Sequence, residues 1–181
     1  MKYDDIIDTL DRLYSLDSEF KNKLVVAGGI VPYIVQNVKS SRLHGDIDLI
    51  CSINDIEYIR NVIKNHNLYE YEMDSKMYFN SEYGFHFMIN NIKVGIYPYF
   101  VSDALYQRSY DGTTKKAKTK KLNINIDEYI NSEYKYKVMS PEVILKSKLI
   151  AFREKDRLDI DLICKHGINS ELYSKIRIED I

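Results

Sequence analysis

The sequence has no tryptophan, two cysteines, three prolines and seven glycines in 181 residues, and its formal net charge is −1. Near-neutrality removes the global field that would draw the chain to nucleic acid or to an anionic membrane. No apolar run reaches the ~18–20 residues of a membrane span. The opening MKYDDIIDTLDRLY is too acidic and too interrupted for a signal peptide. The chain is therefore expected in the cytoplasm, with no membrane partner. Cys51 and Cys164 have apolar neighbours and no metal-type spacing, so both are expected as buried thiols in a reducing compartment. With no repeat of useful length and no linker, residues 1–181 are expected to form one domain. Its core falls at about 24–100 and a helical C-terminal part at about 140–181.

What is present is well patterned. Ile6, Ile7, Leu10, Leu13 and Tyr14 make one apolar stripe of a helix over 4–16. KLVVAGG reads as a short buried strand ending in Gly28 and Gly29, and residues 30–38 resume as a helix with Pro32 in its first turn. Asn54, with Glu57 three residues on, predicts a further helix start. GFHFMI and IKVGIYPYF, joined by Asn-Asn, predict a hairpin in which Ile92, Val94 and Ile96 face away from Lys93, Gly95 and Tyr97. DGTTKKAKTKK reads as a turn and a basic loop. Ser140, Pro141 and Glu142 predict a helix with Leu145, Leu149 and Phe152 on one face. A second helical stretch, 156–165, stops at Gly167. The whole predicts an α+β fold, a mixed sheet flanked by helices with the C-terminal helices packed alongside.

The hexapeptide DIDLIC occurs twice, at 46–51 and 159–164. The first copy reads as a strand, where residues two apart project together, so Asp46 and Asp48 form a pair while Ile47 and Leu49 face the core. The second lies in a helix, where Asp159 and Asp161 diverge by ~200°. There they are expected as surface acids paired with Lys155 and Arg157. Two carboxylates on one pleat face repel unless a cation joins them, and Mg²⁺ meets that need and brings phosphates with it. The plain alternative is a solvated polar face. Gly28 and Gly29, at a strand-to-helix junction, allow backbone N–H groups to approach an anion; the alternative is a tight turn.

These residues together resemble the nucleotidyltransferase superfamily with the DNA polymerase β type of catalytic fold. The resemblance is closest to small bacterial nucleotidyltransferase-like proteins, which include abortive-infection toxins and antibiotic-modifying transferases. The signature of two small residues, a helix, then Arg-x-Thr-x-Asp-x-Asp stands here as AGGIVPYIV and RLHGDIDL, with His44 in place of Thr. A second signature stands as Lys148, Arg153, Lys155, Asp156 and Asp159. The resemblance spans roughly 24–165. It implies that Asp46 and Asp48 bind Mg²⁺ or Mn²⁺ and are catalytic. It implies also that Gly28, Gly29, Arg42 and Lys148 hold an NTP, and that a nucleoside monophosphate passes to a hydroxyl acceptor. Arg153, Lys155, Asp156 and Asp159 are read first as an ion-pair lattice between helices.

One departure matters. The family places a third carboxylate on a neighbouring strand, and Gly95 stands where it is expected, with Lys93 before it on the same face. Glu72, Asp74 or Asp103 are the substitutes a loop could offer, and His44 and His86 are the histidines nearest in the pattern. Two classes follow: an active metal-dependent transferase, or a degenerate member that binds a nucleotide or partner without turnover. A third, tRNA binding through Lys115–Lys121, rests on five lysines in seven residues with no interleaved aromatic, which also fits a solvated loop.

Overall fold

A computed structural model describes residues 1–68, 84–99, 105–110, 117–122 and 125–180. Helix α1 (Tyr3–Ser15) begins the chain, its Asp5 side chain accepting the Lys2 backbone N–H. A short α2 (Phe20–Lys23) leads into β1 (Val25–Ala27), a 3₁₀ turn (Gly28–Ile30) and α3 (Val31–Gln36). Then come β2 (Ile47–Ser52), α4 (Ile56–Asn65), β3 (Phe85–Ile89) and β4 (Ile92–Tyr99). Strands β5 (Leu105–Tyr110), β6 (Ala117–Leu122), β7 (Ile130–Asn131) and β8 (Val138–Met139) precede the C-terminal helices. These are α5 (Pro141–Ala151), α6 (Arg157–His166) and α7 (Ser170–Lys175), followed by β9 (Ile178–Asp180). The fold is α+β, as expected. A mixed sheet runs β3-β4-β2-β1-β8-β7, and β5-β6-β9 form a smaller one. Among the described residues no helix is long and apolar enough to cross a membrane.

The central sheet is built on the alternation visible in the sequence. Strand β2 lies antiparallel to β1 and parallel to β4, and β4 lies antiparallel to β3. Ile47, Leu49 and Cys51 are buried on one face beside Val94 and Ile96. Phe85, Phe87 and Ile89, paired across the sheet with Ile96, Val94 and Ile92 of β4, complete an apolar layer in one core with Leu10 of α1 and Ile59 of α4. Each fully buried side chain of this size contributes about 1.5–3 kcal/mol. The β3–β4 hairpin turns through Asn90 and Asn91 with φ of 53° and 62°, the left-handed pair a two-residue hairpin requires and asparagine tolerates.

Four local expectations change. Helix α4 starts after Asp55, not Asn54, and Glu57 pairs with Arg60 at 3.3 Å. Residues 117–122 form strand β6, paired with β5 and β9, rather than a loop; pairing with neighbours overrides a lysine-rich, weakly β-forming sequence. On α5 the buried face carries Val143, Ile144, Leu145 and Lys148, while Leu149 and Phe152 are exposed. Cys51 is buried as expected, but Cys164 is exposed.

Candidate active site

The Gly28–Gly29 turn and the start of β2 meet because β1 and β2 pair with Ala27 opposite Asp48. Gly28 adopts φ +70°, and a Cβ there would lie 2.5 Å from Asp48 Oδ2. The glycine therefore serves two needs at once, a left-handed backbone and room for a carboxylate. We expect Gly28→Ala to destabilise the protein by about 2–4 kcal/mol, from left-handed strain and displacement of the Asp48 side chain. Gly45→Ala is the control, since nothing lies within 4 Å of a Cβ there. Urea denaturation midpoints of the two variants measure the difference.

Asp48 is partly buried on β2 and Asp46 is exposed just before it. The Asp48 carboxyl is pushed up to about 6, first by burial and then by the charge of Asp46, while Lys148, Lys93 and Lys155 pull the other way. The charge of Asp46, which lies just before the strand, thus acts on Asp48. Continuing the β2–β4 register (Ile47 with Val94, Asp48 with Gly95) places Lys93 beside Asp46. Gly95 is the neighbour of Asp48, so the position of the expected third acid is beside the pair and carries no side chain. Glu72, Asp74 and Asp103, the loop substitutes, lie outside the described residues, as do Lys115 and Lys116.

The second DIDLIC departs from expectation. Asp159 is fully buried and does not pair with Lys155. Its two oxygens accept from Arg42 Nε at 2.7 Å and Nη2 at 2.6 Å. Tyr33 Oη adds a bond at 2.9 Å and Lys148 Nζ one at 2.6 Å. Lys148 also reaches Asp156 at 2.7 Å, and Asp156 accepts from Arg153 Nε at 2.7 Å. Burial opposes the Asp156 charge, but its bonds to Arg153 and Lys148 hold the carboxyl down at about 2. Asp161 is exposed, as predicted, and Arg157 pairs with Glu154 at 3.9 Å. The lattice read from the second signature is thus present and gains Arg42 and Lys148, while Lys155 stays outside it.

This network lies against the second glycine. A Cβ at Gly29 would meet Arg42 Nη2 at 2.2 Å and Asp159 Oδ2 at 3.1 Å. Arg42 and Lys148, assigned from the sequence to the nucleotide, therefore have carboxylate partners within the chain. They tie the segment before β2 to α5 and α6, which holds Asp46 and Asp48 at a defined height beside the glycine turn. The same segment is held at His44, whose backbone N–H donates to the Met1 carbonyl at 3.1 Å and whose carbonyl accepts from the Met1 amine at 2.8 Å. The His44 ring is buried edge-on against Tyr33 and lies 2.8 Å from Ser40 Oγ. Burial and the Arg42 charge keep it neutral, down at about 4. His44 is a packing residue here.

His86, one of the two histidines the sequence offered, pairs with Tyr97, a contact the sequence did not predict. His86 lies opposite Gly95 on β3, and its Nε2 is 3.0 Å from Tyr97 Oη. The available signal was the shared face of Gly95 and Tyr97; the folding of the phenol back over the glycine was not in it.

Comparison with solved structures bears on the fold. The antibiotic-resistance factor ANT(2'')-Ia aligns with a TM-score of 0.61 and 13% identity, over 95% of this chain and 89% of that one. TM1012 of Thermotoga maritima, a nucleotidyltransferase by assignment, aligns at 0.55 and 18%, over 92% and 96%. The lincosamide antibiotic adenylyltransferase LnuA, lincomycin-bound, aligns at 0.54 and 12%, over 84% and 94%. No protein-family model matches the chain, and no curated protein matches its sequence. The chain has the nucleotidyltransferase fold.

Proposed function

We propose that this protein transfers a nucleoside monophosphate from an NTP to a hydroxyl acceptor, with Asp46 and Asp48 holding Mg²⁺ or Mn²⁺. The observation that carries this reading is Asp48, packed directly on a left-handed Gly28 and raised by the charge of Asp46, within this fold. The donor set fits a hard divalent cation. It offers two carboxylates, and no third histidine, cysteine or carboxylate joins them among the described residues. Magnesium takes one or two protein carboxylates and completes its shell with water and substrate phosphates. When bound, it lowers the pKa of the acceptor hydroxyl and offsets charge on the phosphates.

The chain's own residues supply the rest. Gly28 and Gly29 let the triphosphate approach the backbone. Lys93, beside Asp46, and Lys155, one helical turn before Asp159, have no ion-pair partner among the described residues. Both act on the Asp48 carboxyl. They, rather than the engaged Arg42 and Lys148, are the cations available to a polyphosphate. Lys93→Gln and Lys155→Gln should each weaken Mn·ATP binding by about 5–10-fold and AMP binding by less than about twofold; isothermal titration of both nucleotides reads this.

The acceptor is a small polyhydroxyl compound or another hydroxyl, by likeness to the antibiotic transferases among the neighbours. No tRNA reading is carried forward, since the neighbours act on antibiotics. The protein incubated with each NTP, Mg²⁺ or Mn²⁺, and tobramycin, lincomycin or water should release pyrophosphate. Its absence under all of these, with NTP still bound, would establish the second reading, a nucleotide-binding protein without turnover. Gly95 in place of the third acid is what favours that second reading.

A further inference from the structure

In-register strand neighbours project to the same side of a sheet, so Asp48, position 95 and His86 form one row across β2, β4 and β3. The row has a gap at Gly95. Tyr97, two residues along the same face, closes it: its Oη lies 2.8 Å from where a Cβ at 95 would stand, and its Cζ lies at 3.0 Å. The phenol is held there by His86, 3.0 Å away at Nε2, with the two rings edge to face at 81°. A hydroxyl thus sits where the side chain of a third acid would begin.

We propose that the Tyr97 hydroxyl, held by His86, replaces the absent third carboxylate as the group that receives the acceptor's proton. The inference rests on the nucleotidyl-transfer reading above. As the acceptor O–H bond breaks, its oxygen bonds to the α-phosphorus. The bond from that phosphorus to pyrophosphate breaks, and pyrophosphate leaves with the electron pair. The acceptor proton passes to the Tyr97 oxygen while the Tyr97 proton passes to His86 Nε2, and once the products leave it returns through the Tyr97 hydroxyl to water in the opened site. Burial, and then the Lys93 charge, keep His86 neutral, down at about 4; the relay uses the tautomer in which Nε2 accepts from the Tyr97 hydroxyl. A neutral phenol is a poor base alone, and the imidazole behind it is what makes the transfer feasible.

The test uses the full chain with Mn·ATP and the acceptors above. Tyr97→Phe keeps the ring and should lower kcat for pyrophosphate release about 10²-fold, with KM for ATP and the Mn²⁺ dissociation constant (by electron paramagnetic resonance) within about threefold. Gly95→Asp combined with Tyr97→Leu opens the space and returns a carboxylate. It should bind Mn²⁺ about tenfold more tightly than the wild type and recover activity that Tyr97→Leu alone lacks. Wild-type turnover with an unaffected Tyr97→Phe, or a double variant that neither tightens Mn²⁺ nor regains activity, would overturn this inference and leave nucleotidyl transfer standing. A wild type that releases no pyrophosphate would overturn both.

Discussion

Asp159→Ala should destabilise the protein by about 3–5 kcal/mol, because it leaves the part-buried Arg42 without its carboxylate and the buried Lys148 with Asp156 alone. Asp159 is fully buried and is the shared partner of Arg42 and Lys148. Removing one partner of a buried pair leaves the other's desolvation uncompensated, which is a larger effect than the pair's net worth. For a chain of this length the change corresponds to a fall in Tm of about 10 °C. Asp161→Ala is the matched control: same helix, same hexapeptide, exposed side chain, and an expected change within about 0.5 kcal/mol. Thermal and urea unfolding of the pair measure it. Equal effects from both variants would sink the role given to the network. Because the network abuts Gly29 and ends at the segment before β2, Asp159→Ala should also lower nucleotidyl transfer while leaving Asp46 and Asp48 chemically intact.

Asp48→Asn should have opposite effects on stability and on activity. The folded carboxyl sits at about 6 against an ordinary 3.8. Its ionised form therefore opposes folding. The opposition is absent below about pH 4, grows as pH rises through the interval to about 6, and is complete above about 7. Removing the charge should raise stability at pH 7 by about 1–3 kcal/mol and leave it unchanged near pH 3. Adding Mn²⁺ should stabilise the wild type and not the variant, closing part of that gap. Pyrophosphate release should fall by about 10²–10⁴-fold. Unfolding at several pH values, with and without Mn²⁺, and a single turnover assay test the two halves separately. A variant no more stable than the wild type at pH 7 would show that Asp48 is not strained by its place, and the metal reading would lose its main physical support.

The two copies of DIDLIC show how much of the site was legible. In the first copy, alternation and the preceding glycines were enough to predict a strand carrying Asp48 beside a glycine turn, and the β1–β2 register sets Asp48 there. The Asn-Asn hairpin and the alternating face of β4 were legible for the same reason: a period of two and a turn residue are local properties. In the second copy, helix geometry separated Asp159 from Asp161, but the expectation that both lie on the surface fails for Asp159, which is buried. That was decided by Arg42, 117 residues away in sequence, and by the turn of α5 that brings Lys148 inward.

The same network explains the exposed Phe152 and Leu149. Apolar spacing alone chose Leu145, Leu149 and Phe152 as the buried face of α5. A lysine with two carboxylate partners outweighs two apolar side chains when its alternative is to leave Asp156 and Asp159 buried without countercharge.

By itself the sequence determined the strand-and-turn frame of the site, the place of Asp48 beside the glycine turn, and the missing side chain at position 95, because each depends on neighbours a few residues apart. Only the tertiary structure decided which cations stay unpaired around those acids, and which hydroxyl fills the space at Gly95. Those outcomes depend on contacts between distant segments, where burial multiplies the worth of every charge and hydrogen bond.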